Sequence, residues 1–153
     1  MNDAIQLENL TKRYPNFSLD NVSLSLPRGC IMGLIGKNGA GKTTTLKLLL
    51  GLRRPDGGKI TLLGLPLEGH EAEIKSRLGV ALDDNRFSEA FSPKDVNRIL
   101  RLVYSRWDET YFRSLADRFG LPWTMPLKKY SRGMKMKLSL SAALAHRPEL
   151  LIM

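Results

Sequence analysis

Gly36-Lys37-Asn38-Gly39-Ala40-Gly41-Lys42-Thr43 spells Gly-x-x-x-x-Gly-Lys-Thr, the pattern of a loop that wraps phosphate. Its flanks suit the chemistry. Ile31-Met32-Gly33-Leu34-Ile35 before it reads as a buried strand, and Thr43-Thr44-Thr45-Leu46-Lys47-Leu48-Leu49-Leu50 after it reads as a helix. Glycines let the backbone curl so that successive N–H groups face inward at phosphate oxygens. A helix beginning near Gly41 aims its unpaired N–H groups and positive dipole end at the same point. In such a loop Lys42 supplies a mobile charge for the outer phosphates, and the Thr43 hydroxyl is placed to ligate Mg²⁺. Gly36, Lys37, Asn38, Gly39, Ala40, Gly41, Lys42, Thr43 and Thr44 are therefore the candidate residues for binding a nucleoside triphosphate.

Outward from the loop, the chain alternates between two kinds of pattern. Ile5, Leu7 and Leu10 suit a short strand, and Val22-Ser23-Leu24-Ser25-Leu26 has the period of two of a half-buried strand. The helix after the loop stops near Gly51. Arg54-Pro55-Asp56-Gly57-Gly58 reads as a turn and Lys59–Leu63 as a further strand. Glu73–Leu78 is helical in pattern, and Gly79-Val80-Ala81-Leu82 returns to strand. Ser92-Pro93-Lys94-Asp95 then offers a helix cap, a first-turn proline and an acid three residues on. Val96, Ile99, Leu100 and Val103 follow at helical spacing. Tyr111, Phe112, Leu115 and Phe119 share one face of a second helix, and Leu138, Ala142 and Ala145 form a stripe on a third, from Ser131 to His146. Leu150-Leu151-Ile152-Met153 is a buried-strand run. Residues 1–84 and 147–153 thus read as an α/β core and residues 85–146 as a helical subdomain.

Bulk properties narrow the class. A chain of 153 residues buries a real core. Its 24 Lys and Arg against 15 Asp and Glu give a net charge of +9, but the basic residues are scattered and have no aromatic interleaving, so no nucleic-acid partner is expected. The single cysteine, Cys30, provides no disulfide framework and reads as a small core or edge residue in a reducing compartment. His146 reads as a surface residue at a helix end, and His70 as a loop residue. Asp3 and Glu8 break any signal-peptide pattern, and no apolar run reaches the roughly 18 residues that span a bilayer. The expectation is a soluble cytoplasmic chain.

Over its whole length the sequence resembles the nucleotide-binding subunit of an ATP-binding cassette (ABC) transporter. Thr11-Lys12-Arg13-Tyr14 stands where that family places an aromatic on adenine, which makes Tyr14 the base-stacking candidate. Tyr130-Ser131-Arg132-Gly133-Met134-Lys135 resembles the family signature Leu-Ser-Gly-Gly-Gln: Ser131 and Gly133 match, Arg132 replaces the first Gly, and Met134 takes the place of Gln. The resemblance implies that Ser131, Arg132, Gly133 and Met134 meet ATP held by an opposite subunit. The run Ser-Arg-Gly-Met-Lys resembles the ABC-2-type exporter group. Asp83-Asp84 stands where the family usually has a Gln that meets Mg²⁺ and the attacking water, so Asp83 is a candidate catalytic and metal-side contact beside Lys42 and Thr43.

What the resemblance implies is an α/β P-loop NTPase (RecA-like) core with an antiparallel β subdomain and an inserted helical subdomain, incomplete at its C-terminal end. The family's Walker B Asp and Glu, D-loop and switch histidine belong after a strand such as Leu150–Met153 and are not among these residues. ATP and Mg²⁺ are the implied cofactors. The implied partners are a second nucleotide-binding subunit, in a homo- or heterodimer, and transmembrane permease subunits touching residues 84–104 from the cytoplasmic face of the membrane. Without the water-orienting acid, worth on the order of 10²–10⁴ in rate, residues 1–153 alone are expected to be inactive. The family's later strand would lie between the loop strand and the Leu150 strand, so a gap in the sheet and poor stability are expected too. Two other classes fit the same motifs: a soluble ABC ATPase acting on ribosomes or DNA, and a short product that binds ATP without hydrolysing it.

Overall fold

The computed structural model describes residues 3–82 and 87–153. They form two compact units, residues 1–75 and 76–153.

The first unit is built on an antiparallel sheet of four strands in the order β2-β1-β3-β4: β1 (Asp3–Tyr14), β2 (Phe17–Pro27), β3 (Gly57–Leu62) and β4 (Leu65–Pro66). Strand β1 is central and longer than its broken alternation suggested. Asn9 takes a left-handed φ of 50°, and the register with β2 shifts at three places, so bulges hide the period of two along 12 residues. Leu7 and Leu10 of β1 and Leu62 of β3 are fully buried. Gly57 and Gly58 belong to β3 rather than to the turn before it. The helix after the loop, α1 (Lys42–Leu49), buries Thr45, Leu48 and Leu49.

One expected element of this unit is absent. Ile31–Ile35 takes no strand pairing among the described residues, and Ile31 and Ile35 are 102% and 93% exposed. A run that is apolar on both faces becomes a strand only when neighbours satisfy its N–H and C=O groups on both edges. No described segment does so. Cys30, expected in the core or at an edge, is exposed for the same reason.

In the second unit, α3 (Pro93–Val103), α4 (Glu109–Arg118) and α5 (Arg132–Ala145) enclose a core of Val96, Phe112, Ala116, Leu127, Leu138 and Ala142. The rings of Trp107 and Trp123 lie 5.0 and 5.8 Å from that of Phe112. Helix α3 starts with the capping box its sequence announces: Asp95 N–H donates to Ser92 Oγ, and Ser92 N–H donates to Asp95 Oδ2 at 2.9 Å. Its Ile99 and Val103, expected at core spacing, face solvent, and of the four residues on that spacing Val96 alone is fully buried. A short helix α2 (Glu71–Arg77) leads into β5 (Leu78–Val80), which pairs parallel with β6 (Leu150–Ile152). Arg77 clasps Glu149 through two hydrogen bonds of 2.7 and 3.0 Å beside that pair.

His146 is not a surface residue. It is 1% exposed, stacks on Tyr104 with ring centres 4.1 Å apart, and places Nε2 3.2 Å from the Leu78 carbonyl. Its Nδ1 has no hydrogen-bond partner among the described residues. Burial lowers its pKa below the ordinary histidine value, against the opposing pull of the Leu78 and Ala142 carbonyls and with the smaller help of the Arg106 charge.

Candidate functional site: a phosphate loop beside an aromatic hairpin end

Residues 36–43 form an exposed turning loop that runs into a helix. Gly39 and Gly41 take φ of 85° and 94°, and Ala40 N–H closes a turn onto the Lys37 carbonyl at 3.1 Å. Helix α1 has Gly41 as its N-cap, so no side chain caps its amides and no acid lies in its first turn. The first helical bond is Thr45 N–H to the Gly41 carbonyl, at 2.8 Å. The amides of Lys42, Thr43 and Thr44 therefore have no intrahelical acceptor and stand at the positive end of the helix dipole. Thr45 seals the underside, its hydroxyl donating to the Gly41 carbonyl at 3.0 Å. Thr43 is exposed, its hydroxyl open to a metal ion or water. The Lys42 ammonium folds back onto the loop, donating to the carbonyls of Gly36 at 2.5 Å and Lys37 at 2.8 Å. It thus holds its charge on the loop backbone, five and six residues before its own position.

The hairpin end of β1 and β2 stands against this loop. Tyr14 and Phe17 face each other across the two-residue turn Pro15-Asn16, with ring centres 6.3 Å apart. A Cβ on Gly41 would lie 3.1 Å from Phe17 Cζ and 2.9 Å from Leu19 Cδ1, so only glycine lets the loop approach the hairpin this closely. Asp56, in the turn before β3, fixes the base of the hairpin. Its carboxylate accepts Lys12 Nζ at 2.8 Å and Arg13 N–H at 2.7 Å, while its own N–H donates to the Thr11 carbonyl at 2.9 Å. The Arg13 amide first, and the Lys12 ammonium after it, hold the Asp56 carboxyl below the usual carboxylate range. Lys12 Nζ also lies 5.9 Å from the centre of the Tyr14 ring.

Of the expected site, residues 36–44 form one loop and helix start, and Tyr14 is joined to them through Phe17, which reaches Gly41. Phe17 and Asp56 were missed by sequence reasoning. Phe17 was open to detection: in a hairpin with a two-residue turn, the residues on either side of the turn point from the same face. Asp56 was not, since its role depends on partners 43 and 44 residues away.

The signature residues belong to the second unit. Ser131 is the N-cap of α5 and accepts the Met134 N–H at 3.2 Å, and Arg132 and Gly133 are exposed. A Cβ on Gly133 would meet nothing nearer than Ser131 Oγ at 3.9 Å, which leaves the backbone there open. Tyr130 anchors the segment from beneath, buried and donating its hydroxyl to the Pro122 carbonyl at 2.7 Å. Lys135, one turn on, is paired with Glu89 at 2.8 Å. Asp83, the expected metal-side residue, lies outside the described residues, as does Asp84.

Comparison with known proteins agrees with this geometry. A family model described as ABC transporter matches residues 19–153. The ABC transporter ATP-binding protein YtrB of Bacillus subtilis is 35% identical over 150 residues, which are 97% of this chain and 51% of YtrB. The bacitracin transport ATP-binding protein BcrA of Enterococcus faecalis is 33% identical over 156 residues, covering 100% of this chain and 51% of BcrA. A solved structure of the ATP binding subunit of an ABC transporter superposes with a TM-score of 0.87 at 25% identity, over 97% of this chain and 64% of that one. The architecture is the α/β fold of those ATPase domains, in part. The chain spans about half the length of the curated relatives it matches. These likenesses do not favour a ribosome- or DNA-directed ATPase.

Proposed function

This chain belongs to the ABC transporter family, among its ATP-binding proteins, and we propose that it binds MgATP at residues 36–44 to drive transport of a solute across a membrane. The observation that carries this reading is the loop itself: three helix-start amides without intrahelical acceptors, the Lys42 ammonium held over the loop carbonyls and an exposed Thr43 hydroxyl stand on consecutive residues at one helix end. Phosphoryl transfer to water asks the protein mainly for positioning and charge neutralisation. In this proposal the amides hold the phosphates in register, and Lys42 leaves its two carbonyls to neutralise charge on the outer ones. Thr43 faces Mg²⁺, and Asp83, by its place in the sequence, is the second candidate ligand. Tyr14 gives the adenine a flat partner.

In the complete protein two such subunits pair head-to-tail, and Ser131 and Gly133 of one close on the phosphates bound by the other. Their exposed position at the start of α5 supports that role. Closure on ATP and reopening after hydrolysis then move permease subunits. Helix α3 supports a permease contact, since Leu102 and Val103 are 86% and 65% exposed on it. No described helix is long and apolar enough to cross a membrane, which fits a peripheral subunit on the cytoplasmic face. Relatives named for bacitracin transport and Nod factor export favour export as the direction.

The test is thermal protection of the intact protein by MgATP, compared with Lys42→Ala. The wild type should gain several degrees at saturating nucleotide and the variant little or nothing. Equal shifts in both proteins would remove the loop from the reading.

A further inference from the structure

Lys94, Arg98 and Arg101 look scattered in the sequence, but α3 sets them at i, i+4 and i+7, in line along one side of the helix. All three are exposed. Ile99, Leu102 and Val103 form the next stripe round the helix and are exposed as well. Val96 and Asn97 are buried on the side turned to the core. The acids at hand leave the stripe positive. Asp95 is turned into the capping box with Ser92. Glu109 meets Arg101 at 3.4 Å, but the two side chains are 50% and 62% exposed, and such a pairing is worth little in water. The surrounding unit, residues 76–153, holds 14 Lys and Arg against 8 Asp and Glu, a net +6 of the chain's +9.

A nucleic acid would gain nothing from the apolar stripe, and a neutral apolar surface nothing from the cations. An anionic bilayer surface uses both, because its charged headgroups lie in a plane over an apolar layer. Long Lys and Arg side chains reach headgroups while the apolar residues beside them settle at the acyl boundary. We propose that the exposed side of α3 is a contact surface for anionic lipid headgroups, with Lys94, Arg98 and Arg101 as the cations that face them and Ile99 and Leu102 seated alongside at the membrane interface. The contact is independent of ATP binding. It adds lipid to the permease contact proposed for the same helix, and puts the stripe where permease and bilayer meet.

The experiment is flotation of the intact protein, purified free of permease, with vesicles of phosphatidylcholine alone or mixed with phosphatidylglycerol, at low and high salt. The wild type should bind the anionic vesicles, leave them as salt rises, and ignore the neutral ones. Lys94→Gln/Arg98→Gln/Arg101→Gln should bind weaker by about ten-fold or more, since each cation near such a surface is worth about five-fold. Arg98→Lys/Arg101→Lys keeps the charge and should stay within about two-fold of the wild type. Arg118→Gln/Lys128→Gln/Lys129→Gln removes the same charge from other exposed positions of the unit and should lose about three-fold at most. Equal losses in the two triple variants would assign binding to the diffuse charge of the unit and overturn the proposal. Equal binding to neutral and anionic vesicles, or binding to neither, would overturn it too. If the α3 triple variant lost its permease on co-purification but kept its vesicles, the stripe would be a protein-docking surface and the proposal would fall.

Discussion

Gly58→Ala tests whether the sheet that carries the hairpin is as close-fitting as its geometry implies. Gly58 has φ of 85°, and a Cβ there would lie 2.5 Å from the carbonyl oxygens of both Glu8 and Asn9. Two costs add. A left-handed conformation with a side chain costs about 1–2 kcal/mol. Ordinary contact begins at 3.4 Å, so β3 must also withdraw from β1 by about 1 Å, and no rotamer change helps because the obstacles are backbone atoms. That withdrawal falls between the pairs Glu8↔Lys59 and Thr11↔Gly57. Losing two ladder bonds there costs about 1–3 kcal/mol more, for a total of about 2–5 kcal/mol. Gly64→Ala is the control: its φ is 84°, but a Cβ meets nothing within 4 Å, so it carries the conformational cost alone. By scanning calorimetry of the intact protein, Gly58→Ala should melt about 2–12 °C below Gly64→Ala. It should also bind ATP more weakly, because Asp56 next to this bulge fixes Lys12 and Arg13 beneath Tyr14. If the two variants melt together, the close approach is not held and the argument from Asp56 to Tyr14 fails with it.

Ser92→Ala removes the α3 capping box and should cost about 1 kcal/mol in urea unfolding; Ser92→Thr should restore most of it, and no loss would show that the cap is not used. Burial lowers the His146 pKa, so between that folded value and the ordinary value of about 6.5 the unfolded chain binds more protons and stability falls as pH falls. Melting at pH 7.5 and 5.5 should show a smaller acid loss for His146→Phe, which keeps a ring against Tyr104; parallel losses would refute the assignment. Residues 1–153 expressed alone should aggregate on heating, because Ile31 and Ile35 are bare and β5 with β6 makes only a two-stranded sheet. A sharp, reversible, two-state melt at an ordinary mesophilic midpoint would contradict this.

Features written in consecutive residues were legible in the sequence. The loop motif, the Ser92–Asp95 capping box and the buried stripe of α5 each depend on chemistry within a few positions, and each stands where the pattern placed it. The misses share a different origin. Ile31–Ile35 announces that it wants burial on two faces, but periodicity does not say whether its neighbours are among the same residues. His146 stands at a helix end just before Arg147-Pro148, the marks of a surface residue; its burial is decided by Tyr104 and by a carbonyl 68 residues away. Strand β1 was read short because a left-handed Asn9 interrupts the alternation by which strands are recognised.

The two flanks of the phosphate loop rest on different supports, and this bears on what the chain does by itself. The flank after the loop is secured by contacts among these residues: Gly41 against Phe17 and Leu19, Thr45 beneath it, and the bonds of α1. It carries Lys42, Thr43 and the free amides, the groups proposed to capture phosphate. The flank before the loop, Ile31–Ile35, has no such support. The acid that the family resemblance assigns to orienting water is not among residues 1–153 either. In the proposed function, capture of the triphosphate and its hydrolysis therefore draw on separable sets of groups. Binding measured on residues 1–153 should survive better than turnover, and the loss of turnover should follow from the missing water-orienting group, worth on the order of 10²–10⁴ in rate, rather than from a damaged loop.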